Sequence, residues 1–159
     1  MNLFPDSQQN NLIHSCSADR TINTYDLQQE KRINSRQTTN GFHTDMTQRK
    51  DNELELVTAG QGAPILFWDC DESQPVAQIP YPYKVNSIKI SPSGKHLAFG
   101  TDTNEIFTYS IGGLDQFTFL GKGLGHSAPV KQISWSPDEK QIISVSADQS
   151  ISVWNFFGQ

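Results

Sequence analysis

Three side chains in the C-terminal part of the chain could together activate a hydroxyl: His126, Ser144 and Asp148. A carboxylate that orients an imidazole, which in turn takes a proton from a serine, is the arrangement used in nucleophilic acyl transfer on several unrelated folds. That chemistry also needs an accessible serine, held on a sharp turn, and donors aimed at a developing oxyanion. No Gly-x-Ser-x-Gly stretch occurs, and both Ser144 and its neighbour Ser146 lie within the alternating run Gln141-Ile142-Ile143-Ser144-Val145-Ser146. Such a run reads as a strand with one face buried, which would place the serine inside a sheet rather than in a cleft. The histidines His14, His43, His96 and His126 are scattered, and no pair has metal-ligand spacing. Cys16 and Cys70 form no Cys-x-x-Cys, which favours two reduced thiols over a zinc site or redox pair, with a single disulfide as the alternative. Gly60-Gln61-Gly62 lacks a following Lys-Ser or Lys-Thr and opens no helix, so a strand-to-strand turn accounts for it better than a phosphate cradle. No metal and no cofactor is expected.

The elements that would hold these residues recur along the chain. Val130–Trp135, Gln141–Ser146 and Ile151–Asn155 are three β-rich runs separated by Ser136-Pro137-Asp138 and Ala147-Asp148-Gln149-Ser150. Stepping back 45 positions, Val85–Ile90, Ser91-Pro92-Ser93-Gly94, His96–Gly100 and Ile106–Tyr109 repeat the pattern, with Pro92 on Pro137 and Tyr109 on Trp154. Two further steps, of 41 and 43, reach Leu54–Gly60 with Pro64–Asp69 and then Leu12–Asp19 with Thr21–Asp26. Units at this spacing predict one four-stranded sheet each, with a further strand in each linker. Lys31–Gln37, Pro75–Ile79 and Gln116–Lys122 are the candidates for those linker strands.

The ordered set Gly125-His126, Ser136-Pro137-Asp138, Ala147-Asp148 and Trp154-Asn155 resembles the WD-repeat family. The second unit keeps Trp68-Asp69, and the first keeps Ser17-Ala18-Asp19 and Tyr25-Asp26. The third departs most, with Tyr81 for the histidine, Thr103 for the aspartate and Tyr109-Ser110 for Trp-Asp, and the second has Gly62 where the aspartate would lie. These departures lead us to expect the second and third units to be the weaker ones. The resemblance implies an all-β propeller of about 3.5–4 four-stranded blades in an incomplete ring. It divides the chain into a partial first blade (1–27), a second (28–70), a degenerate third (71–110) and a best-matching fourth (111–159). It also implies a structural tetrad of His126, Ser144 (or Ser146), Asp148 and Trp154, joined by hydrogen bonds, in place of a catalytic triad. Met1–Phe4 followed by Pro5-Asp6 reads as the tail of an inner strand, so the first blade is expected to be incomplete.

The family's general role is non-catalytic scaffolding between proteins, in the cytoplasm, with a cytoskeletal or ciliary setting as the favoured context. Alternatives are a substrate-recognition subunit of a ubiquitin-ligase or chromatin complex and, less favoured, a propeller hydrolase. A net charge of −5 argues against nucleic acid or an anionic membrane as partner, since both need clustered Lys and Arg. No apolar run approaches the roughly 20 residues needed to span a bilayer. Partner proteins, among them a chain that completes the ring, would meet residues of the connecting loops: Arg20, Gln61, Tyr81, Tyr83, Asp102, Asn104 and Gln149. Tyr81-Pro82-Tyr83 could be an aromatic anchor, or Tyr81 could pack between blades, and Phe156-Phe157 should be covered.

Overall fold

Each of the runs identified above alternates apolar and polar residues or is rich in β-branched and aromatic side chains, and each ends at Gly, Pro, Asp or Asn, so strands and tight turns follow. The computed structural model describes residues 12–39, 41–49, 56–69, 72–113 and 116–157. The expected inner strand at Met1–Phe4, and Cys70, lie outside them; Cys16 is a free thiol.

The described residues form fourteen strands and no helix. The first sheet holds β1 (Leu12–Cys16), β2 (Thr21–Asp26) and β3 (Lys31–Gln37). The second holds β4 (Phe42–Gln48), β5 (Leu56–Gln61), β6 (Ile65–Trp68) and β7 (Ala77–Ile79). The third holds β8 (Val85–Ile90), β9 (His96–Thr101), β10 (Glu105–Ile111) and β11 (Phe117–Leu124). The fourth holds β12 (Val130–Trp135), β13 (Gln141–Ser146) and β14 (Ile151–Asn155). Every pairing is antiparallel and joins consecutive strands. The fold is all-β, a partial β-propeller: β8 lies between β4 and β12, so the sheets sit side by side through their inner strands. A sequence unit such as 28–70 is offset from a sheet by one strand, since it begins on β3, the outer strand of the sheet before.

The inner strands share a local distortion that ties the sheets together. Each carries a bulge, at Thr44, Asn86 and Lys131, where one residue is left out of the ladder. The Thr44 hydroxyl donates to the Val85 carbonyl, and Asn86 Nδ2 donates to the Val130 carbonyl at 2.9 Å, so the bulge residue of one sheet reaches the backbone of the next. One residue on, the buried Asp45 carboxylate accepts from Ser87 Oγ (3.0 Å), Ile88 N (2.9 Å) and Lys89 Nζ (3.0 Å). Ser87 Oγ in turn accepts from Ile133 N at 3.4 Å, carrying the contact across three inner strands. A buried carboxylate is tolerable only when it is paired and hydrogen-bonded, as Asp45 is.

Apolar residues fill the space between sheets. The largest cluster among the described residues joins the second and third sheets through Val57, Ile65, Phe67, Ile88, Leu97 and Phe99. Phe67 of β6 stacks on Phe117 of β11 with ring centroids 4.4 Å apart. Of the departures from the repeat pattern in these two units, Tyr81 and Tyr109 pack against this cluster. Smaller clusters join the first sheet to the second around Ile22, Met46 and Trp68, and the third to the fourth around Ala98, Ile106 and Trp135. Phe156 packs edge-on against Trp135 at 4.9 Å, as expected. Phe157 does not; it is 86% exposed, because the strand has ended and nothing among the described residues overlies it.

Candidate functional site

The fourth sheet brings His126, Ser144, Asp148 and Trp154 together. Ser144 lies opposite Ile133 on one side and Ser152 on the other, on the face that packs toward the third sheet, and it is fully buried. Ser146, on the same face but at the strand's end, donates instead to the Ala128 carbonyl at 2.8 Å, which assigns the interior position to Ser144. Asp148 occupies a tight turn whose backbone and side chains converge on its carboxylate. It accepts from Ser150 Oγ (2.6 Å), Ser150 N (2.9 Å) and Ser127 N (2.9 Å). The Ser150 hydroxyl and these N–H groups hold its carboxyl well below the usual carboxylate range.

His126 Nδ1 lies 3.0 Å from Asp148 Oδ2, and Nε2 lies 2.7 Å from Ser144 Oγ. With Nδ1–H directed to Asp148, a neutral ring offers Nε2 as acceptor, so the Ser144 hydroxyl donates to it. The serine oxygen then accepts from Trp154 Nε1–H at 2.7 Å. Gly123 and Gly125 leave room for that indole, since a Cβ at either would stand 3.0 Å from its ring carbons. The line of bonds runs turn to imidazole to hydroxyl to indole, entirely inside one sheet. A nucleophile must be reachable, and Ser144 has no exposed surface: its hydroxyl is spent between an imidazole and an indole. Among the described residues no group of three or more His, Cys, Asp or Glu could hold a metal ion.

The other sheets keep parts of this arrangement. In the second, Trp68 Nε1 donates to the buried Thr58 hydroxyl at 2.9 Å, reproducing the last link alone. In the third, Phe99 takes the place of the serine opposite Ile88, and Tyr109 takes the place of the tryptophan opposite Leu97. Tyr81 packs edge-on against Phe99 (5.1 Å) and Phe107 (5.3 Å). Burial pushes the Tyr81 hydroxyl up.

The loop residues converge on one end. Because strands alternate in direction, turns between second and third strands share an end with loops entering each inner strand. The two kinds of loop touch there: Thr38 N bonds the Arg20 carbonyl, Asp102 N the Lys84 carbonyl, and Ala147 N the Pro129 carbonyl. Arg20, Asn104 and Gln149 sit in left-handed conformation, at φ 69°, 69° and 68°, at the same turn position of three sheets. Arg20, Gln61, Asp102 and Gln149 are exposed, Tyr81 and Asn104 half-buried, and Tyr83 is 57% exposed. The inter-sheet bonds from Thr44, Asp45, Asn86 and Ser87 were not foreseen; their one signal is the polar residue at matching places in each inner strand.

Four antiparallel sheets arranged side by side, with a hydrogen-bonded His-Ser-Asp-Trp set inside the last, define a WD-repeat propeller. Residues 117–155 match the WD domain, G-beta repeat, a stretch that begins on β11 and ends on β14. The chain is similar in sequence to proteins of the WD-repeat family. It is 34% identical over 71 residues to WD repeat-containing protein 1 of Gallus gallus, covering 45% of this chain and 12% of that protein. Over 117 residues it is 29% identical to the U5 small nuclear ribonucleoprotein 40 kDa protein of Dictyostelium discoideum, covering 70% and 32%. Over 108 residues it is 26% identical to cilia- and flagella-associated protein 52 of Sus scrofa, covering 65% and 17%. The chain thus spans a third or less of the length of these relatives.

Proposed function

We propose that the chain is a non-catalytic scaffold for other proteins, working as part of a larger assembly through the loop end that carries Arg20, Gln61, Tyr81, Tyr83, Asp102, Asn104 and Gln149. The observation that carries this reading is the shared left-handed turn at Arg20, Asn104 and Gln149. A fixed, repeated turn presents side chains from a rigid frame, which lowers the ordering cost of binding. The hydroxyl, imidazole and carboxylate that could do chemistry are meanwhile committed inside the fourth sheet. The half-buried Tyr81 braces Tyr83, whose ring lies 6.0 Å away, and Tyr83 is the aromatic anchor. A cytoplasmic, cytoskeletal or ciliary setting is supported by two relatives' names, cilia- and flagella-associated protein 52 and echinoderm microtubule-associated protein-like 3.

The test is cross-linking with mass spectrometry in the source cell, comparing the unaltered chain with Tyr83→Ala and Arg20→Glu. Protein cross-links at the loop end that both variants lose would support the reading. Cross-links that persist in both variants, or that map only to the opposite end, would overturn it.

A further inference from the structure

The second and third sheets each end in a fourth, outer strand. The fourth sheet does not: among the described residues β14 is its last strand, and one edge of β14 has no neighbour. Outer edges elsewhere in the molecule are guarded. β3 carries Lys31, Arg32, Arg36 and a bulge, β7 is three residues long, and β11 carries Lys122 and a bulge. Charge, brevity and bulges are the usual means by which a sheet edge avoids pairing with another chain. β14 has none of them. It runs Ile-Ser-Val-Trp-Asn without a charge, pairs with β13 in unbroken register, and leaves Ile151 72% and Val153 59% exposed. Its outward N–H and C=O groups are a template for one more strand.

Beside that edge lies a hollow of about 280 Å3, between the outer halves of the third and fourth sheets. The third sheet shows what such a space accommodates. There, two residues past Tyr109, Ile111 N bonds the Lys95 carbonyl at 2.8 Å, and the outer strand sets Phe117 opposite Ile111. Phe117 stacks at 4.4 Å on Phe67 of the second sheet, the residue before Trp68. In the fourth sheet, two residues past Trp154, Phe156 N bonds the Lys140 carbonyl at 2.7 Å, so Phe156 stands where Ile111 stands. The counterpart of Phe67 in the third sheet is Thr108, the residue before Tyr109. Phe156 and Thr108 both line the hollow. The hollow is thus the seat that Phe117 fills one sheet earlier. It is kept open by the short Thr108 and by Gly121, at which an added Cβ would meet nothing nearer than 4.0 Å. Its one charged lining residue, Lys122, is already paired with Glu105 at 2.7 Å.

We propose that β14 takes up an extended segment of a partner protein as the fourth, antiparallel strand of its sheet, with an aromatic side chain of that segment seated in the hollow opposite Phe156. The backbone edge selects a strand, the hollow selects a bulky apolar side chain, and no free charge is at hand for an ionic anchor. A second copy of the chain does not fit this seat through its own β14, because the inward aromatic of that strand, Trp154, is bonded to Ser144. The proposal deepens the scaffold reading above, on which it rests for a protein partner, by adding a second surface and the form of what binds there.

Fluorescence anisotropy on the full chain tests it. The probe is a short, labelled, end-blocked peptide in which Val, Phe and Val alternate with Thr. One control replaces the Phe by Asp, and another N-methylates the backbone amides, which keeps the side chains and removes the strand's donors. The expected result is saturable binding of the probe, about tenfold weaker or worse for either control. Gly121→Leu, which fills the hollow from the β11 side, is expected to weaken binding about tenfold, with an unaltered circular dichroism spectrum showing that the variant folds. In the unaltered chain, backbone amides within Ile151–Asn155 should exchange more slowly when the probe is bound. Absence of saturation would overturn the proposal, as would equal binding of either control, equal binding to Gly121→Leu, or self-association of the chain that the probe does not displace. The scaffold reading fails separately, by persistence of cross-links in Tyr83→Ala and Arg20→Glu; a β14 edge that takes no strand, with a working loop end, would leave it standing.

Discussion

The third and fourth sheets share one backbone plan and fill its interior with opposite chemistry. In the fourth, the position opposite the inner-strand isoleucine is Ser144, held between His126 and Trp154 by hydrogen bonds. In the third it is Phe99, stacked on Tyr109 at 5.9 Å and met edge-on by Tyr81. The second sheet stands between them, with one hydrogen bond from Trp68 to Thr58 and aromatic packing at Phe67. Strand pairing and turns therefore set the sheet, while the interior set can be polar or apolar provided that all its members change together. A lone change should be costly in either direction, since it leaves a cavity in one case and orphaned polar groups in the other.

The largest expected effect is in the aromatic sheet. Phe99→Ser removes a fully buried ring and strands a hydroxyl among Phe107, Tyr109 and Tyr81, at a cost of at least about 3–5 kcal/mol by the usual range for deleting a buried Phe. Urea denaturation followed by circular dichroism measures it, and retention of wild-type stability would remove the equivalence of Phe99 and Ser144.

Acid should act on the sheets in different windows. Burial lowers His43, at the joint of the first and second sheets, from 6.5 to about 4, with the nearby Asp19 carboxylate pulling the other way. The unfolded chain therefore binds a proton there between about pH 6.5 and 4 that the folded chain refuses, so stability falls as pH drops through that range and flattens below it. The full shift corresponds to about 3 kcal/mol. Asp148 is the opposite kind of group. Its carboxyl is held low by hydrogen bonds, so its contribution is complete above the ordinary carboxylate pKa and is lost only under stronger acid, as pH falls through its folded pKa. Denaturation midpoints measured across pH should show the first loss disappear in His43→Gln and the second in Asp148→Asn.

Smaller effects separate the polar sets. Ser144→Ala leaves both the His126 imidazole and the Trp154 indole without their partner, at about 1–3 kcal/mol, whereas Thr58→Val orphans the Trp68 indole alone and should cost about 1 kcal/mol. Smallest of all is Glu139→Gly. Glu139 holds φ 58° where the third sheet has Gly94 at φ 78°, and its carboxylate accepts from the Ser93 backbone and hydroxyl. Relief of the backbone and loss of that exposed contact nearly cancel, so the change should stay within about 0.5 kcal/mol.

Much of this plan was legible because it rests on local signals. Turn residues at 91–94 and 136–138 and the alternation of 141–146 located the strands, and β3 runs Lys31–Gln37 as expected for a linker strand. The choice between Ser144 and Ser146 stayed open in the sequence, since both lie on one face; contacts across the turn decide it. The joints between sheets were not legible. They depend on bulges at Thr44, Asn86 and Lys131, which shift register by one residue and are marked only by a polar residue at the matching place of each inner strand.

The chain's three tryptophans report on this arrangement directly. Trp68 and Trp154 donate their indole N–H groups to Thr58 and Ser144 within their own sheets, and Trp135 donates to the Lys89 carbonyl across the joint of the third and fourth sheets at 3.1 Å. Indole hydrogen exchange followed by 1H–15N NMR is the measurement. All three protons should exchange more slowly than a free indole, and Ser144→Ala should release Trp154 while leaving Trp68 protected. Free exchange at Trp135, or a Trp154 signal indifferent to Ser144→Ala, would contradict sheets built on one plan and joined through their inner strands.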